Sequence, residues 1–147
     1  MTDDLPEAYW DSSALIPLCV SQPQSPRSRT LYDTFTVVTW WASRVEMISG
    51  LTRLERMGQI SHDQFVSGKR TVQEIARVWS SVQSPHSVAT HACSLLEQFP
   101  LRAADAIQLA AAHAACDYKP QGFVFITADQ RLEDAARRSG FAVEYVV

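Results

Sequence analysis

Apolar residues recur along this chain in two rhythms. Short β-branched or aromatic runs bounded by turn residues predict strands at Ala8-Tyr9-Trp10, Thr36 to Thr39, Phe123 to Thr127 and Phe141 to Val146. The stretches between them carry helical spacing. Ser12 or Ser13 caps a helix running to about Val20, with Pro17 tolerated in its first turn, and residues 21–26 read as a loop. A short helix spans about Arg27 to Asp33. A longer one runs from about Ser43 to Met57, with Val45, Ile48, Leu51 and Leu54 on one stripe, and stops at Gly58. Ser61 and Gln64 form a capping-box pair that opens the next helix, whose character continues to around Val82. Ser84-Pro85 and Pro100 bracket a helix from about Ser87 to Gln98. Ala103 to Cys116 is alanine-rich and strong in helix propensity, and Gln130 to Arg138 ends at Ser139-Gly140.

Strands alternating with helices imply an α/β fold, a parallel sheet covered on both faces. The block from about 42 to 117 reads as almost wholly helical, so the expected sheet is small. The 147 residues suit a single domain over 1–147, with residues 1–7 as an acidic, proline-containing lead. No apolar run approaches the roughly 20 residues of a membrane helix, and the lead lacks signal-peptide features, which places the protein in the cytoplasm.

Composition changes this picture little: 46% hydrophobic and 20% charged residues are ordinary for a globular protein. Cys19, Cys93 and Cys116 are widely spaced and form no Cys-x-x-Cys pair, so buried free thiols are expected. His62, His86, His91 and His113 lack metal-ligand spacing. The net charge of −3 argues against a nucleic-acid coating protein, yet a nuclease that concentrates acids in one site looks acidic overall. Of thirteen cationic residues only Lys69 and Lys119 are lysines, and arginine is the better shape for bidentate phosphate contacts.

Candidate chemistry lies in the placement of acids. Asp11 follows the first strand, and Asp129 lies two residues past Thr127. Asp105 sits in the first turn of the alanine-rich helix, and Glu46 in the first turn or so of the helix after Val37-Val38. All four fall at the carboxyl edge of the expected sheet, where ligands gather in open α/β folds. Each has a plainer reading as a helix cap or a dipole-compensating acid. Asp11 before two serines also reads as a turn, and a register shift of one residue would turn Glu46 away. That plainer reading must hold four times at one edge. Clustered carboxylates resist ionisation together, and a hard divalent cation, Mg²⁺ or Mn²⁺, resolves the repulsion and orients a hydroxide for attack at phosphorus. Ser12 and Thr127 are hydroxyls placed to fix carboxylate rotamers.

These residues carry a resemblance. Tyr9-Trp10-Asp11-Ser12-Ser13-Ala14-Leu15 resembles the opening strand and turn of PIN domains. Leu101 to Ala110 is similar to the helix of their third acid, and Phe125-Ile126-Thr127-Ala128-Asp129-Gln130-Arg131-Leu132 to the turn of their fourth. Glu46 falls where the family places its second. The resemblance covers about Ala8 to Val146 and extends to VapC-type toxins. It implies a three-layer fold with a four- to five-stranded parallel sheet and a Mg²⁺-dependent endoribonuclease whose metal ligands are Asp11, Glu46, Asp105 and Asp129. It also implies a homodimer held inactive by an antitoxin protein.

Two other functions stand beside RNA cleavage: a non-catalytic PIN-like module binding RNA or a protein, and a nuclease of DNA or structured junctions. All four acids are present, which counts against the first, and no extra clamp or arch is evident for the second. Trp40 and Trp41 read either as stacking platforms for bases or as one core ring and one at an interface. Arg44, Arg53 and Arg56, on the helix of Glu46, read either as a phosphate path or as a solvated face paired to Glu46 or Glu55. Arg102 reads either as a partner of the acid cluster or as a residue at the start of its helix. Lys69-Arg70 and Arg137-Arg138 read as exposed surface.

Overall fold

Tyr9 and Trp10 are large, apolar and adjacent, so a strand carrying both must be covered on its two faces. In the computed structural model, which describes residues 4–147, this strand (β1, Glu7–Trp10) lies at the centre of a five-stranded parallel sheet. The other strands are β2 (Thr36–Trp40), β3 (Ser80–Val82), β4 (Val124–Thr127) and β5 (Ala142–Tyr145), in the order β3-β2-β1-β4-β5. Tyr9 pairs with Val38 on one side and Phe125 on the other.

The helices are α1 (Ser12–Leu15), α2 (Ser25–Thr34), α3 (Ser43–Arg56), α4 (His62–Val78), α5 (Pro85–Gln98), α6 (Ala103–Ala115) and α7 (Gln130–Ser139). Period-two alternation divides the strand residues between two cores. Tyr9, Val38, Trp40 and Phe125 pack with Val88, Leu95, Leu109 and Leu132 of α5, α6 and α7. Ala8, Trp10, Val37 and Ile126 pack with Leu15, Leu31, Met47, Leu51 and Val72 of α1 to α4. The three expected layers are present, with the sheet in the middle.

Several local expectations are corrected. The N-cap of α1 is Asp11, not a serine; α1 ends at Leu15, and a 3₁₀ turn (Ile16–Leu18) with Pro17 inside it replaces the run to Val20. Helix α4 opens on the Ser61–Gln64 capping box but stops at Val78, and Ser80–Val82, read as helix, adds to the open edge of β2 instead. On α3 the buried residues are Ser43, Met47, Gly50 and Leu51, whereas Val45 is exposed. Trp40 is buried and Trp41 half-exposed, as one core ring and one surface ring require. All three cysteines are free, with Cys19 and Cys116 partly buried but Cys93 exposed. Residues 1–3 of the lead lie outside the described residues, and Glu7 already belongs to β1.

Candidate active site

A cleft of about 450 Å³ opens beyond the carboxyl ends of the central strands, and Asp11, Glu46, Asp105 and Asp129 all line it. The sheet order explains their meeting. β1 and β4 are neighbours, so the turns that follow them bring Asp11 and Asp129 together from positions far apart in sequence. α3 follows β2, the other neighbour of β1, and contributes Glu46 from its first turn. α6 packs on the same strands and contributes Asp105 from its own first turn. The one-residue shift that would have turned Glu46 away does not occur.

Asp11 is the most enclosed of the four. Its backbone amide donates to Ile126 O at 3.1 Å, continuing the ladder, and its side chain is 4% exposed. The carboxylate does not cap α1; Ser13 Oγ donates to it at 2.7 Å from Oδ1 and 3.0 Å from Oδ2. Burial pushes the Asp11 carboxyl up to about 7, the charges of Asp129 and Glu46 push the same way, and the hydroxyls of Ser13 and Thr127 oppose them.

Glu46 is also raised, by burial first and by the Asp105 charge, against the donors Gln108 and Ser12. Ser12 Oγ donates to its Oε1 at 3.1 Å and Gln108 Nε2 to its Oε2 at 3.0 Å. Asp105 is raised by burial and by Asp129, while Arg102 and Arg131 pull it down. Asp129 does cap its helix, Oδ1 accepting from the amides of Arg131 at 2.9 Å and Leu132 at 3.1 Å. Capping through Oδ1 leaves Oδ2 for the cleft, so capping and ligand binding are compatible.

Ser12 therefore touches Glu46 directly, and Thr127, whose hydroxyl also helps lower the Asp11 carboxyl, supports the turn of Asp129. Thr127 Oγ1 accepts from Asp129 N at 3.0 Å and lies 3.3 Å from Ser13 Oγ. Two residues that the sequence did not mark complete the shell. Ser13 bonds Asp11 and also accepts from Ala128 N at 2.9 Å, tying the β1 turn to the β4 turn. Gln108, buried in α6, accepts from the Tyr9 hydroxyl and donates to Glu46 and to Ser43. Its signal was its type: an amide one turn after Asp105, flanked by Ile107 and Leu109 in an alanine-rich helix, needs partners.

Among the described residues, no three His, Cys, Asp or Glu side chains already stand at metal-binding separations. Each of the four acids is engaged by hydroxyl or N–H donors. His91 and His113 do approach, their ring centroids 4.7 Å apart, although their sequence spacing gave no sign of it.

A model of the PIN domain family matches residues 8–138. The chain belongs to the PIN domain family. Over 142 residues, 95% of both chains, this PIN domain is 27% identical to "Ribonuclease VapC45" of Mycobacterium tuberculosis strain CDC 1551. The same figures hold for "Ribonuclease VapC49" of strain H37Rv. Among solved structures, one described as "Toxin-antitoxin complex from Klebsiella pneumoniae" shares the fold of this PIN domain at a TM-score of 0.58. It is 16% identical, over 85% of this chain and 88% of that one. No helix among the described residues is long and apolar enough to cross a membrane.

Proposed function

We propose that the protein is a metal-dependent endoribonuclease, the toxin of a VapBC-type toxin–antitoxin pair. The observation that carries this reading is the meeting of Asp11, Glu46, Asp105 and Asp129 in one cleft. The donor set fits Mg²⁺ or Mn²⁺: it offers carboxylate oxygens alone, and hard divalent ions prefer oxygen. Asp11, Glu46, Asp105 and Asp129 are the residues that would hold the metal. When bound, the metal supplies charge for the phosphate oxygens and lowers the pKa of a water.

The chain's own residues do the rest. Ser12, Ser13 and Gln108 fix the carboxylate rotamers, and Thr127 sets the turn from which Asp129 projects. Arg102 and Arg131, close enough for their charges to act on Asp105, draw a phosphate backbone towards the acids. The relatives named as ribonucleases, spanning the same length, support RNA as the substrate. The solved toxin–antitoxin complex supports an antitoxin partner. Work in the cytoplasm as a homodimer belongs to the same proposal and rests on the family resemblance.

The test is incubation of purified, partner-free protein with total RNA and Mg²⁺ or Mn²⁺, beside Asp105→Asn. Cleavage is expected from the parent and not from the variant or with chelator. Equal cleavage by Asp105→Asn would mean the site is misplaced. Partner binding without metal affinity would favour a binding module instead.

A further inference from the structure

The acid cleft does not end at its carboxylates. Its wall at Ser13, Ile16 and Arg53 is shared with a second depression of about 350 Å³ on the far side. That depression has no acid in its lining. It is apolar at Leu54 and Met57 and carries the side-chain amides of Gln22 and Gln59. The Gln59 backbone is held at its rim, its N–H donating to Leu54 O at 2.9 Å, just after the left-handed turn at Gly58, φ 73°.

Arg53 stands on the shared wall. It is exposed and, among the described residues, makes no ion pair. The acids on its own helix are engaged elsewhere: Glu46 by Ser12 and Gln108, Glu55 by His62 at 3.4 Å. An uncommitted guanidinium beside a cleft of carboxylates is shaped for phosphate oxygens. The volume beyond it has an apolar floor for the face of a ring and amides that both donate and accept for its edge. A thioether such as Met57 packs well on aromatic rings.

We propose that this second depression is a nucleotide subsite, an inference that rests on the ribonuclease reading above. Arg53 holds the phosphate flanking the one that is cut, and the depression takes the unpaired base of that flanking nucleotide. Continuity with the acid cleft and the amide rim favour a nucleotide over an apolar helix of a protein partner. The subsite makes the substrate a single strand at that position and gives the enzyme a base preference outside the scissile bond.

The experiment measures binding of short, labelled single-stranded RNAs by anisotropy, with chelator present and Asp105→Asn as the parent, so that nothing is cut. One series of RNAs carries an abasic nucleotide at each position in turn. Arg53→Gln should weaken binding about tenfold and reduce the slope of log affinity against log salt by about 0.7. The pair Met57→Ala with Gln59→Ala, both at exposed positions, should weaken binding to intact RNA yet add nothing to the loss at one abasic position. Full additivity at every position would overturn the subsite, and so would unchanged RNA affinity coupled to loss of a protein partner. Either result would leave RNA cleavage by the wild-type protein standing. Failure of the wild-type protein to cut RNA with Mg²⁺ or Mn²⁺ would instead remove the ribonuclease reading, and the subsite with it.

Discussion

Gln108 is one side chain with three polar partners, and it is 2% exposed. Its carbonyl serves the Tyr9 hydroxyl on the sheet while its amide nitrogen serves Glu46 in the cleft. Gln108→Ala removes the acceptor of the buried Tyr9 hydroxyl, a loss of about 1–3 kcal/mol. Urea denaturation should show that loss, and cleavage should fall further than stability does, because Glu46 then keeps only the Ser12 hydroxyl to fix it. The four acids were legible because each lies next to a strand end or a helix start, where type and position suffice. Ser13 and Gln108 were not. Their roles depend on β4 lying beside β1 and α6 lying across the sheet, which only the assembled fold supplies.

The elements show where local patterning yields to packing. Ser80–Val82 has no period of its own and was absorbed into the helix before it. The unpaired edge of β2 recruits it through Val38↔Ser80 and Trp40↔Val82. On α3, Ile48, Leu51 and Leu54 of the expected stripe do pack against the core, but Val45 is exposed and Met47 and Gly50 are buried in its place, where α1 and α4 pack. Gly68 of α4 is a second such contact. A Cβ there would stand 3.2 Å from Cys19 O, 3.2 Å from Val20 Cγ1 and 3.3 Å from Leu51 Cδ1. The first of these is backbone and cannot swing aside. Gly68→Val should therefore destabilise by about 1–3 kcal/mol, although it removes a helical glycine. The loss should appear as a lower melting temperature with the cleft's own variants unaffected.

At the scale of the molecule, the sheet order sets the electrostatics. It gathers Asp11, Glu46, Asp105 and Asp129 at one edge of a chain whose net charge is only −3. The folded Asp11 carboxyl, raised to about 7, binds its proton more tightly than the unfolded chain does at about 3.9. Its contribution to stability is therefore whole below about pH 3.9 and is lost as pH rises through about 7. Glu46 and Asp105 are raised too and act in the same direction. Metal-free protein should lose stability across this window, and Asp11→Asn should flatten the loss. Mg²⁺ should raise the melting temperature more at about pH 8 than at about pH 5, since deprotonated acids are the ligands. Equal gains at both would contradict a carboxylate site. Overall class and layer order were readable from alternating strand and helix signals, but strand order was not. Parallel neighbours are joined through long crossovers that leave no mark in local sequence.

The placement of β1 between β2 and β4 also bears on how the protein is made. Synthesis runs from the N-terminus, and domains fold as their parts appear. Asp11 and Glu46 leave the ribosome before β4, the strand that completes their surroundings, with Ala128 N and Asp129 on the turn after it. A chain still attached to the ribosome, amid the RNA it is proposed to cut, thus lacks a finished cleft until β4 slots beside β1. On the ribonuclease proposal, this order of synthesis keeps the cutting site incomplete while β4 is still to be made.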